Sequence, residues 1–138
     1  MTSPQTGVSS RPLPLAGVKV LDISQVMAGP YTCMLLADMG ADVIKIERPG
    51  AGDDTRSWGP PFLKDAQGKD TPEAAYYLGT NRNKRSLTCD ISKAEGQALI
   101  RELVVHCNVF IENFKVGDMA RYGLDYPSLK ALNPRLVY

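Results

Sequence analysis

Apolar residues in this chain recur in two patterns, separated by breaks rich in glycine, proline and aspartate. Val18, Val20, Leu21 and Ile23 form a short, largely β-branched run of the kind a buried strand needs. Ala28, Gly29 and Pro30 break it. Pro30 suits the first turn of a helix, because its φ is already helical and its missing N–H has no partner to lose there. Cys33, Met34, Leu35, Leu36, Ala37 and Met39 follow almost without a polar residue, which predicts a helix buried on most sides, with Gly40 as its stop. Val43, Ile44 and Ile46 supply a second strand. Residues 17–48 thus read as strand, helix, strand, and about thirty residues is the usual length of one right-handed βαβ crossover.

Residues 49–72 keep neither a twofold nor a helical period and read as a long loop, in which Trp58 and Phe62 need something to pack against. A short helix is expected over residues 73–78 and a third strand over residues 86–90. Ser92 and Glu95 fit a capping box, in which each side chain satisfies a free N–H of the other residue. The helix that follows runs to about Cys107, with Leu99, Ile100, Leu103, Val104 and Cys107 on one face. Residues 108–112 are the fourth strand, and a short helix falls within residues 115–123. Asp125 caps a last helix with Pro127 in its first turn and Asn133-Pro134 at its end. Residues 135–138 open a fifth strand. The expected fold is α/β, with Rossmann-like βαβ units on a mostly parallel sheet. A chain that stops inside a strand just begun is expected to be the amino-terminal part of a larger protein. Residues 1–14, rich in Ser, Thr, Pro and Gly, read as a disordered tail, leaving 15–138 as the folded portion.

Bulk composition narrows the function little. The 138 residues are 43% hydrophobic and 22% charged, with a net charge of +1, which exerts no general pull toward nucleic acid or a membrane surface. No apolar run approaches a membrane span, and the tail lacks the apolar core of a secretory signal. Cys33, Cys89 and Cys107 are odd in number and lack metal-ligand spacing, so a disulfide framework and a metal site are both disfavoured. His106 and Cys107 point to different faces of one helix and read as structural. Reduced cysteines suit an intracellular setting, with cytoplasm first and mitochondrial matrix second. Glu47 stands about where a dinucleotide-binding fold holds ribose, yet the first turn offers only Gly29 followed by Pro30. A pyrophosphate needs the backbone N–H groups of G-x-G-x-x-G, so a nicotinamide cofactor is disfavoured, and no phosphate-binding P-loop motif occurs. Nine of the sixteen Lys and Arg residues lie between Lys45 and Lys93. The run from Asn81 to Ser86 has two open readings, a solvated turn before a strand or an anion site. In a parallel sheet ligands bind at the strands' carboxyl ends, which places Arg48 and the Asn113-Phe114 pair at such ends, with Arg121 nearby.

Several stretches, in order, resemble the family III CoA-transferases, the formyl-CoA transferase and carnitine CoA-transferase group. They are P-L-A-G-V-K-V-L-D (14–22), A-G-P (28–30), L-A-D-M-G-A-D-V-I-K-I-E-R-P-G (36–50), G-D-D-T-R (52–56), N-K-R-S (83–86), A-E-G (94–96), E-N-F (112–114) and the segment 123–134. The wording of residues 50–62 resembles members that use succinyl-CoA and a dicarboxylate such as glutarate. The resemblance implies a doubly wound large domain, a second smaller domain, and a homodimer of interlocked chains. It also implies coenzyme A or acyl-CoA as substrate rather than a tightly bound cofactor. Carried over by position, Val26, Met27 and Ala28 would lie along CoA. Arg48 would meet its adenine or a phosphate, and Asn113, Phe114 and Arg121 would line its path. Cys89 and Ser92 occupy further contact positions, where some relatives carry Leu and Lys, and Met27 stands where many carry a polar residue. Family members use an aspartate nucleophile that forms an anhydride and then an enzyme-bound CoA thioester. None of Asp22, Asp38, Asp42, Asp53, Asp54, Asp65, Asp70, Asp90, Asp118 or Asp125 matches its motif, so that residue is expected after residue 138 and no catalytic residue is assigned. The alternatives are an acyl-CoA racemase of the same superfamily, or a truncated, non-catalytic fragment that binds CoA or a nucleotide. The Asp53-x-x-Arg56 loop favours the transferase.

Overall fold

A computed structural model describes residues 12–138, so the tail expected over residues 1–14 lies, for residues 1–11, outside the described residues. In chain order the elements are β1 (Lys19–Asp22), α1 (Ala28–Asp38), β2 (Asp42–Glu47), a single 3₁₀ turn (Asp54–Ser57), β3 (Phe62–Lys64), β4 (Asp70–Ala74) and α2 (Ala75–Asn81). They continue with β5 (Lys84–Thr88), α3 (Ala94–Val105), β6 (Val109–Ile111), α4 (Asp118–Arg121) and α5 (Tyr126–Leu132). Four strands pair in parallel in the order β5-β2-β1-β6, with Leu21 opposite Ile44 on one side and Phe110 on the other. The expected α/β fold of βαβ units is therefore present. The order reverses at β1, which puts the topological switch point between β1 and β6, the place where such sheets leave a crevice.

Alternation along the strands sorts the core into two layers. Leu21, Ile23, Ile46 and Phe110 pack with Ile100 and Val104 of α3, Met119 of α4 and Leu129 of α5. On the opposite face Val20 and Val43 meet Cys33 and Ala37 of α1. Burying one such large aliphatic side chain fully is worth about 1.5–3 kcal/mol, and Leu21, Ile100, Val104, Leu124 and Leu129 are all fully buried. The face toward α1 also carries Asp22, Lys45 and Glu47, so its carboxyl half is polar inside the protein.

Five local expectations change. The first is α1, which buries Cys33, Met34 and Ala37 but leaves Tyr31, Leu35 and Met39 exposed, so it covers the sheet with one face only. Second, the long loop contains the antiparallel hairpin β3–β4, turned by the Asp65 carboxylate, which accepts the N–H groups of Gln67 and Lys69. Its strands, Phe62–Lys64 and Asp70–Ala74, carry too few apolar residues for a period to register. The third is the helix expected from residue 73. It starts at Ala75, since Glu73 belongs to β4 and reaches Arg56 instead. Fourth, no capping box forms. Ser92 gives its N–H and hydroxyl to Asp90, and Lys93 takes the cap position of α3 without a side-chain bond. Asp125 does occupy the cap position of α5, but its side chain makes no cap bond and its buried Oδ1 has no partner among the described residues. The last is the fifth strand, which is reduced to one parallel bridge between Val137 and Val109.

Gly96 in the first turn of α3 shows how closely that helix is fitted to the turn that follows β5. A Cβ there would press inside van der Waals contact of the Asp90 carbonyl oxygen, which is backbone and cannot swing away. Gly96→Ala is expected to lower stability by about 1–3 kcal/mol, although alanine is the better helix former by about 1 kcal/mol. Chemical denaturation reads the difference, and an unchanged or raised midpoint would contradict the close contact.

Candidate functional site

The strands' carboxyl ends hold two clefts, one on each face of the sheet, with Arg48 on the rim of both. The smaller, about 230 Å³, lies on the α3 face at the switch point. Ile23, Ile46, Cys89, Ile91 and Phe114 form its apolar walls, and Gln25, Arg48, Asp90, Ser92 and Tyr122 supply polar groups. The larger, about 690 Å³, lies between the loop after β2, the hairpin β3–β4 and the edge of β5.

The turn after β1 lines the smaller cleft through Gln25 and is held from below. Lys45 is buried to 1% exposure, donates to the Ser24 carbonyl at 2.8 Å and pairs with Asp53 Oδ2 at 2.9 Å. Asp53 accepts the N–H and hydroxyl of Thr55 at 2.9 and 2.6 Å, and its carboxylate also receives the Val26 N–H at 3.2 Å. Val26 has a φ of +70°, a left-handed conformation that a β-branched residue adopts only when its surroundings hold it. From the other side Asn113 accepts the Gln25 N–H and donates to the Gln25 carbonyl, each at 2.8 Å.

Glu47 is the second buried anchor. Its carboxylate receives Arg56 at 2.7 and 2.9 Å, the Tyr77 hydroxyl at 2.7 Å, the Ser86 hydroxyl at 2.6 Å and the Asp53 N–H at 3.0 Å. Burial works against its ionisation, but the hydrogen bonds from Arg56, Ser86 and Tyr77 outweigh that and hold its pKa far below the usual carboxylate range. Asp53 is likewise lowered, burial being overcome by the bonds from Thr55 and Lys45. Arg56 also stacks 3.7 Å from the Tyr77 ring centroid. Glu47 therefore fastens the 52–57 loop and α2 to the sheet.

The nine residues named from the sequence divide. Arg48, Cys89, Ser92 and Phe114 come together around the smaller cleft. Val26 is tied to Asp53 and Asn113 to Gln25, while Met27 and Ala28 are exposed at the start of α1. Arg121 is exposed, bonded to Asp118 at 2.9 Å and 5.6 Å from the Tyr122 ring, which lines the cleft. Cys89 is buried, and burial followed by the nearby Asp90 charge raises its pKa, which keeps it a thiol. The cations of the run 82–85 stand before and at the amino end of β5, outside both clefts, and each has an acidic partner. Arg82 pairs with Asp38, Lys84 with Asp22 and Arg85 with Asp42. The Lys84 side chain is buried, and its ammonium also donates to the Pro30 carbonyl and the Asn81 side chain. Sequence reasoning missed the anchoring roles of Lys45, Asp53 and Tyr77, and missed Gln25 at the cleft. The signal available was Lys45 and Glu47 alternating within a strand of a parallel sheet, where an apolar run is the rule.

A family model described as CoA-transferase family III matches residues 15–138. The chain belongs to CoA-transferase family III. It is 53% identical over 133 residues to a succinate–glutarate CoA-transferase of Agrobacterium fabrum, covering 96% of this chain and 33% of that protein. It is 47% identical over 125 residues to a succinyl-CoA:glutarate CoA-transferase of Homo sapiens, covering 91% of this chain and 27% of that one. The crystal structure of a CAIB/BAIF family protein from Brucella suis matches with a TM-score of 0.85 and 51% identity, covering 93% of this chain and 33% of that one. The chain thus spans about a third or less of the length of these family members. Among the described residues no helix is long and apolar enough to cross a membrane.

Two outcomes follow from the buried anchors. Lys45→Met should destabilise the protein by about 3–5 kcal/mol, because it leaves Asp53 as an uncompensated buried charge, and a thermal melt measures it. Glu47 has a lower pKa folded than unfolded, so its contribution is complete above the unfolded value of about 4.3 and is lost as pH falls through the folded value. Denaturation midpoints of wild type and Glu47→Gln should therefore differ most at neutral pH and converge in acid. A gap that stays constant down to acid pH would remove Glu47 from the acid limb.

Proposed function

We propose that this chain forms the CoA-binding portion of a CoA-transferase that moves CoA from an acyl-CoA, succinyl-CoA being the favoured donor, to a dicarboxylic acid such as glutarate. The observation that carries the reading is the cleft at the switch point with Arg48 on its rim, in a chain 53% identical to a succinate–glutarate CoA-transferase. Apolar walls at Ile23, Ile46, Ile91 and Phe114 suit a flat heterocycle. Arg48 supplies a planar, permanently charged fork for a phosphate. Besides the Gly52 carbonyl, which accepts its Nε–H at 3.0 Å, its present partner is Asp54, an exposed carboxylate. Such a pair contributes at most about 1 kcal/mol, so a phosphate can displace it.

The chemistry proposed for the whole protein proceeds through an aspartate outside these residues. Its carboxylate attacks the thioester carbonyl, and CoA leaves as a thiolate with formation of an anhydride. The thiolate then attacks the aspartyl carbonyl, freeing the first acid and leaving CoA on the protein. The acceptor carboxylate and the thiolate repeat the two steps in turn, and the aspartate is regenerated. In this scheme Val26, Met27, Ala28, Arg48, Cys89, Ser92, Phe114 and Arg121 hold CoA, Asn113 fixes the turn beside it, and none takes part in bond making.

Calorimetric titration of the chain with CoA tests the binding role. One site per chain is expected, weakened about tenfold or more by Arg48→Ala, in line with the loss of a charge-assisted hydrogen bond. A folded chain that gives no saturable heat, or an Arg48→Ala variant of unchanged affinity, would refute it.

A further inference from the structure

Gln25 stands out because its main chain is fully tied while its side chain is free. Asn113 closes a two-bond ring on its N–H and C=O across the switch point between β1 and β6, both bonds 2.8 Å. The next residue, Val26, is fixed in a left-handed conformation by the Asp53 carboxylate, itself neutralised by the fully buried Lys45. The preceding residue, Ser24, is buried, with its N–H and hydroxyl on Asp22 and its carbonyl on Lys45. Three consecutive residues are thus clamped by side chains from the ends of β1, β2 and β6 and from the loop after β2. The Gln25 carboxamide has no hydrogen-bond partner among the described residues and borders the smaller cleft. A half-buried amide with a fixed backbone has lost little freedom still to lose, which is what a preorganised ligand contact needs.

We propose that Gln25 is a direct ligand contact in this cleft and that Asn113 is a positioning residue that aims it, acting through the Gln25 backbone rather than by touching ligand. This rests on the reading of the cleft as a CoA site. The carboxamide offers both a donor and an acceptor, which matches the amino-purine edge or the amide groups of CoA and is wasted on a purely anionic group. Asn113 has its carboxamide oxygen and nitrogen each committed to Gln25.

A double-mutant cycle on CoA affinity separates this arrangement from the alternatives. Gln25→Ala is expected to weaken CoA binding by about 2- to 10-fold, the range of one hydrogen bond. Asn113→Ala should weaken it by a similar factor in the wild-type background and by less than about 2-fold when Gln25 is already Ala. Equal effects of Asn113→Ala in both backgrounds would overturn the positioning role, since a residue that touches ligand itself stays additive. Unchanged affinity in Gln25→Ala would overturn the contact.

A second readout needs no ligand. Amide hydrogen exchange of Asn113→Ala should show faster exchange at Gln25, with protection in β1 and α3 retained as proof of folding. Retained protection at the Gln25 amide would overturn the clamp alone. Wild-type protein that fails to bind CoA would overturn the ligand contact together with the reading on which it rests, while the exchange result would still decide the clamp.

Discussion

An ammonium group at 1% exposure in the middle of a parallel sheet has to be neutralised where it stands, because desolvating a lone charge costs several kcal/mol. Lys45 meets this with Asp53, and that one requirement draws the loop after β2 back under the turn after β1. Asp53 then holds Thr55, which starts the 3₁₀ turn, and Val26, which shapes the β1 turn. Glu47, two residues along the same strand face, repeats the device with the opposite sign. It collects Arg56 from the loop, Tyr77 from α2 and Ser86 from β5. A stretch with almost no regular structure of its own is thereby held by ionic groups on the sheet.

The consequence for the cleft is a division of labour between the two faces. The α3 face is filled by Leu21, Ile23, Ile46, Ile100 and Val104, and its carboxyl end opens into an apolar-walled cleft. The α1 face carries the polar anchors, each with its hydrogen-bonding capacity spent inside the protein. Positive charge is therefore distributed by burial. Lys45 and Lys84 are locked in the interior against Asp53 and Asp22, and Arg56 is shared by Glu47 and Glu73. Arg48 sits at the rim with an exposed partner.

The βαβ units, their order and the parallel sheet were legible because β1, α1, β2, α3 and β6 carry apolar periods long enough to read. The cleft was legible in part for the same reason, since strand ends locate Arg48 and Phe114 without any knowledge of side-chain packing, while Cys89 and Ser92 were named only through the family resemblance. The hairpin β3–β4 was not, because its strands read Phe-Leu-Lys and Asp-Thr-Pro-Glu-Ala, with few apolar residues and Pro72 inside the second. The cap at Ser92 was misread because Asp90 competes for the same hydroxyl two residues away, a local side-chain choice the sequence leaves open. Cations failed as a guide in the opposite direction. The run 82–85 looks basic in sequence, yet its partners Asp38, Asp22 and Asp42 come from 43 to 62 residues away in the chain and meet it only in the folded sheet.

Whether a cation can take up an anionic ligand depends on the cost of releasing its present partner. For Lys45 or Lys84 that release strands a buried carboxylate, at about 3–5 kcal/mol, which exceeds what one new phosphate contact returns at about 1.5–3 kcal/mol. For Arg48 the released partner is Asp54, half exposed and readily hydrated, so the exchange runs in favour of the ligand. Arg121, itself exposed, is bonded to half-buried Asp118 and is followed in the chain by Tyr122, which lines the cleft. A nearly neutral chain thus confines its exchangeable positive charge near the cleft to side chains at the rim, and a ligand with separated phosphates and a flat apolar base fits that distribution better than a polyanion that needs a continuous basic face.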